Sequence, residues 1–322
     1  EIPSTVPELV AIAFVVPVSP VSAFVIALIT IYNNALVFSL YSYFLPKGHR
    51  GRFVMPEPIT EAGTQMLIAG AAIGFVIGLV MLVFDAADAR KASLAPHDLI
   101  ILSLALLAIF AVYLYRLVND YAGEEANVRE TLDLDEAAIE RRREMVYENV
   151  PRLSVPMIAG LLLVGVAGAF AGGERVAHFA EAAIVDLGLN SVLTALILAV
   201  FAGMSEYVIV WKAHRKREYG IALANVFGGM TQVMFLVLPF TLMAIGFYQA
   251  FINPTHSELP IPFTLSNILL LLFLFPTFYV LAELLEEDHT FSALDTTIMG
   301  TIVVLLLLLL VTYGADPGMR GG

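Results

Sequence analysis

The chain has 322 residues, 59% of them hydrophobic and 14% charged, with a mean hydropathy of +0.84. Soluble domains run nearer about 45–50% apolar and about 25% charged, so an ordinary water-soluble fold is excluded. A net charge of −12 argues against nucleic acid as a partner, and the absence of cysteine excludes disulfides, thiolate metal sites and thiol nucleophiles.

In chain order, apolar segments lie near 5–20, 21–46, 64–85, 97–118, 153–172, 189–211, 219–251, 263–285 and 294–313, separated by short polar stretches. Each is close to the roughly 20 apolar residues that cross hydrocarbon as a helix. The sequence therefore predicts an all-α polytopic transmembrane bundle of nine spans or partial spans, with the lipid bilayer as its surroundings. The one long polar segment includes Gly123-Glu124-Glu125 and Arg141-Arg142-Arg143. It reads as an amphipathic surface helix over 119–150, a linker between a first transmembrane repeat (1–118) and a second (151–322).

Lys and Arg are retained in cytoplasmic loops, which gives an independent check on the helix count. If the loop at 47–62 is inside, strict alternation also puts 116–152 and 212–217 inside. Those three segments hold all 17 basic residues except Arg90, Lys91, Arg175 and Arg320. The two halves then run through the membrane in opposite directions, the signature of an inverted repeat.

Comparing the halves directly supports this. Pro7-Glu8-Leu9-Val10 is followed by Ile26-Ala27-Leu28 and then Asn33-Asn34, while Ser205-Glu206-Tyr207-Val208 is followed by Ile221-Ala222-Leu223, Asn225 and Gly228-Gly229. Aligning the Ile-Ala-Leu triplets sets Asn33-Asn34 on Gly228-Gly229.

Glu8 and Glu206 carry the functional argument. A carboxylate at mid-membrane costs about 2.5–3.5 kcal/mol on insertion scales, so it is rarely left there without a partner. Ser4, Thr5 and Pro7 surround one and Gly203 and Ser205 the other. Kinked helices free backbone carbonyls, hard oxygen donors that suit calcium. Two facing carboxylates match a divalent charge, and once the ion leaves, protons compete for the same place. Asn33, Asn34 and Asn225 are candidate ligands, though asparagine also serves as hydrogen-bond glue between membrane helices. Thr231 and Gln232 could face the pathway or satisfy neighbouring backbone, and the hydroxyls of Ser4, Thr5 and Ser205 could bond back to their own helices.

The same residues resemble the α-repeats of the calcium/cation antiporter (sodium/calcium exchanger) superfamily. That family carries Gly-Thr-Ser-x-Pro-Glu in one helix and Gly-Asn-x-x-Gly-Ser in the next. Ser4-Thr5-Val6-Pro7-Glu8 keeps nearly all of the first signature. Ala202-Gly203-Met204-Ser205-Glu206 and Ala224-Asn225-Val226-Phe227-Gly228-Gly229 keep Glu206, Asn225 and Gly228, with Ser205 replacing the proline and Gly229 the serine. The first half lacks a clear Gly-Asn and offers Thr30 and Asn33-Asn34.

The resemblance implies two inverted five-helix repeats, so a first helix and the front of a second are expected ahead of Glu1. It also implies a multi-pass protein of a prokaryotic plasma membrane. Its function would be exchange of Ca2+ for H+ or Na+, with transported cations as its ligands and no cofactor. Fewer polar residues than the family pattern favour proton-coupled calcium exchange over exchange needing several sodium ions. A monovalent sodium/proton antiporter and a passive cation channel are the alternatives. A membrane enzyme is disfavoured because the chain has no His-Glu-x-x-His, aspartate-rich diphosphate motif or nucleophile elbow. The oligomeric state is not legible.

Overall fold

The computed structural model describes residues 5–46, 52–54, 57–87, 93–131, 154–189, 191–253, 261–286 and 290–313. All nine apolar segments are helical within these limits. Among the described residues six helices are long and apolar enough to cross a membrane: Pro20–Ser42, Gly63–Ala86, Pro96–Arg116, Tyr219–Ile252, Leu265–Leu285 and Ala293–Thr312. Leu193–Ala202 and Glu206–Arg215 form a further span as a broken pair, bent by 49°.

Helix α1 is Val6–Val15 and opens on Pro7, which tolerates the first turn because its missing N–H would be unpaired there anyway. Helix α2, Pro20–Ser42, starts on a Ser19 cap whose hydroxyl accepts from the Ser22 N–H. Helices α3 (Glu57–Ala86) and α4 (Pro96–Thr131) complete the first half. α4 continues as helix past residue 118 into the expected linker; residues 132–153 lie outside the described residues.

The second half opens with α5 (Val155–Val185), which continues well past the expected 153–172 segment. Helices α6 (Ser191–Ala202) and α7 (Met204–Arg215) meet at Gly203, and α8 (Tyr219–Gln232) follows. A π-helical turn at Val233–Val237 leads into α9 (Leu238–Phe247), and a second at Tyr248–Ile252 ends that span. Pro239 explains the first turn, because its ring clashes with the Phe235 carbonyl and it has no N–H to give it. Pro276 acts in the same way on Leu272. The span breaks there at Phe273, into α10 (Leu265–Leu272) and α11 (Leu274–Glu286). Helix α12, Ala293–Tyr313, starts on a reciprocal cap in which the Ser292 N–H donates to Asp295 Oδ2 and the Asp295 N–H to Ser292 Oγ.

α2 is the central element, with 78% of its apolar window inside protein against 22% for Pro96–Arg116. It nevertheless carries buried Thr30, Asn33, Asn34, Ser39 and Ser42. The outer faces present large apolar side chains such as Leu163, Val164 and Ile101, as lipid contact requires.

Packing crosses between the halves. α3 packs on α11, α4 on α9, and α12 on α2. Two short antiparallel ladders do the same: β1 (Arg52–Val54) pairs with β4 (Thr290–Ser292), and β2 (Ser93–Leu94) with β3 (Ile261–Pro262). Each ladder joins a loop of one half to a loop of the other, β1 and β3 each following a half's central span and β2 and β4 each preceding its last.

Candidate cation-binding site

Glu8 lies in the first turn of α1 and Glu206 in the first turn of α7, directly after the break at Gly203. Their residual exposures are 3% and 4%, so neither carboxylate is hydrated from bulk. Each lies within electrostatic range of the other. Gly203 has φ −74° and ψ 0°, off the helical basin, and this turns α7 away from the axis of α6. A Cβ there would meet the Tyr207 hydroxyl at 2.8 Å, so the glycine also admits that ring.

Asn34 of α2 and Gly229 of α8 come to the same place. A Cβ built on Gly229 would stand 3.0 and 3.1 Å from the two Glu206 carboxylate oxygens and 3.1 Å from Asn34 Nδ2. The bare glycine surface is therefore covered by a carboxylate from α7 and an amide from α2. Both polar atoms of the Asn34 amide are buried without a hydrogen-bond partner, as are Glu8 Oε2 and Asn225 Nδ2. Unpaired buried polar atoms cost about 1–3 kcal/mol each and are rare in native proteins unless something else satisfies them.

The remaining candidates divide. Asn33 is buried and donates from Nδ2 to the Tyr207 hydroxyl, tying α2 to α7. Thr5 and Gln232 are buried and partnered. Thr231 donates its hydroxyl to the Gly228 carbonyl, 2.9 Å away on its own helix, and Thr30 likewise to Ile26 at 2.8 Å. Ser4 and the Ser205 side chain lie outside the described residues.

Sequence reasoning missed Tyr207, which lies within electrostatic range of both Glu206 and Glu8. The available signal was Gly203 four residues earlier, the space a ring on that helix face needs. It also missed orphaned Thr194 Oγ1 on α6, and Ser266 Oγ and Asn267 Oδ1 at the start of α10. Among the described residues no group of three or more His, Asp or Glu could hold a resident metal ion. The candidate residues are two carboxylates with amides and hydroxyls, a hard-oxygen set of the kind that suits a cation.

The described residues thus form a bundle of membrane-crossing helices, one of them broken beside a buried carboxylate. The chain's fold is similar to that of a solved structure described as the H+/Ca2+ exchanger CAX, with a TM-score of 0.58 at 13% identity, over 95% of this chain and 73% of that one. The family model described as sodium/calcium exchanger protein matches residues 157–315. No curated protein matches the chain. In both sequence and fold the chain is thus similar to the calcium/cation antiporter superfamily.

Proposed function

We propose that this protein holds one Ca2+ between Glu8 and Glu206 and exchanges it for H+, with Na+ as the alternative counter-ion, by alternating access between two inverted halves (1–118 and 151–322) joined by the 119–150 linker. The observation that carries the reading is the pairing of two buried carboxylates within electrostatic range of each other, with the orphaned Asn34 amide beside Glu206 on the surface of Gly229. The inversion is supported by the cross-half ladders: β1 with β4 and β2 with β3 is the pairing that a two-fold axis in the membrane plane would generate.

In this scheme the carboxylates match the ion's charge, and a half-turn of each asparagine amide presents a neutral oxygen to it. Tyr207 and Asn33 fix the α7 side of the site to α2. Loss of the ion leaves two like charges close together in a low-dielectric setting, and protons then take its place. The empty, doubly charged pair is the costliest state to carry between membrane faces, so access switches readily only when the site is filled. That restriction is what couples the two fluxes.

The test is Ca2+ uptake into proteoliposomes under an imposed pH gradient and then under an imposed Na+ gradient. Proton-driven uptake that stops in a folded Glu206→Gln variant is the expected result. Uptake driven by Na+ alone reassigns the counter-ion. Ca2+ flux needing no counter-gradient, or Na+/H+ exchange without Ca2+, overturns the proposal in favour of a channel or a monovalent antiporter.

A further inference from the structure

The seam between α2 and α7 differs from every other seam around α2. α2 packs along α6, but past Gly203 the backbone of α7 swings away from it and packs on α8 instead. Side-chain hydrogen bonds tie α7 back to α2 at two levels. At the carboxylates, Asn33 donates to the Tyr207 hydroxyl. Two turns further on, His214 Nδ1 lies 3.4 Å from the Tyr41 hydroxyl, with the two rings edge to face at 5.8 Å.

The second level is reinforced from α8. Tyr219 stacks edge to face on His214 at 5.4 Å, and Phe53 of β1 closes on Tyr219 at 6.4 Å. The spacing is regular on both helices. Gly203, Tyr207, Val210 and His214 share one face of α7, while Asn33, Val37 and Tyr41 share one face of α2. Val210 is 7% exposed and lies between the two bridges. In sequence both helices lead into basic segments, 47–52 after α2 and 212–217 at the end of α7.

We propose that this seam is the gated route by which cations reach the carboxylates from the basic-loop face, with Tyr207 as inner closure and His214 as outer closure. Three features carry it. The helix break turns the α7 backbone away from α2 and leaves side chains to close the seam. The seam ends at Glu206, the residue preceding Tyr207. Each bridge has one side-chain hydrogen bond that a rotamer change can undo, unlike the packed apolar seams of α3 with α11 or α4 with α9. Tyr207 is in this account a positioning residue as well, because its hydroxyl holds Asn33 at the level of the carboxylates.

The proposal rests on the Glu8–Glu206 reading for the route's destination, and its test needs no transported ion. The chain has no native cysteine, so Val210→Cys places a single thiol between the two bridges. Its reaction with a membrane-impermeant thiol reagent is followed in vesicles of each orientation. Slow labelling is expected. Adding Tyr207→Phe or His214→Ala should raise the rate from the basic-loop face up to about tenfold, the population shift worth one hydrogen bond. Should Tyr207→Phe not fold, Tyr41→Phe takes its place.

Unchanged rates in every background, or a rise only from the opposite face, overturn the gate. Exchange that fails with the labelling pattern intact overturns the ion assignment alone. Normal exchange with no change in labelling overturns the gate alone.

Discussion

The Asn34 amide from the first half lies against Gly229 of the second, so that a Cβ at 229 would stand 3.1 Å from Asn34 Nδ2 and 3.0 Å from a Glu206 oxygen. The triplet alignment makes these two positions equivalents, so one is large where the other is bare. Gly229→Ala should push both groups off their common surface and cut apparent Ca2+ affinity by about 10–100-fold, the scale of a lost supporting contact at an ion site. Thermal stability in detergent should barely change. Ca2+ binding equal to that of the parent protein would show that the glycine is only a packing residue.

Glu8 and Glu206 should behave as one unit. Either Glu→Gln change should take Ca2+ exchange to background, and the double variant should be no worse than the singles, because each alone destroys the shared site. Counterflow assays on the three variants check this. Residual exchange in the singles that falls further in the double would mean two separate sites.

Proton competition has a definite sign. A proton on either carboxylate removes one of the charges that holds the cation, so the Ca2+ concentration for half-maximal uptake should rise as pH falls. The maximal rate at saturating Ca2+ should change less. Initial-rate measurements across pH decide it, and an effect confined to the maximal rate would mean that protons act away from the ion site.

Scaffold packing is testable apart from transport. A Cβ on Gly246 would meet the Pro96 carbonyl at 2.8 Å, a backbone atom that cannot turn aside. Gly246→Ala should cost about 1–3 kcal/mol by overpacking the α4–α9 seam, read as a lower melting temperature in detergent. Gly160→Ala, with nothing within 4 Å, should stay within about 0.5 kcal/mol and serves as the control.

Much of this organisation was legible in the sequence because bilayer thickness imposes a length on each apolar run and a charge bias on each loop. The two glutamates stood out for the same reason, since a carboxylate among apolar residues carries a high insertion cost. What stayed hidden depends on contacts across the halves. Nothing in Val233–Val237 by itself announces a π turn; its cause is Pro239. Nothing local marks Tyr207 as the partner of Asn33, which is 174 positions away in sequence. The bare surface of Gly229 is informative only once Asn34 and Glu206 are seen to cover it.

The two ladders have a mechanical consequence. β1–β4 and β2–β3 staple the ends of α3, α4, α10 and α12 across the halves, and α3 is pressed so closely on its neighbour that a Cβ on Gly74 would meet Leu274 at 2.5 Å. Rocking one half bodily against the other would have to tear both staples and that seam. In the proposed exchange cycle the stapled helices would be the stator, and the working stroke would be left to short α1 and to the pair α6 and α7 jointed at Gly203.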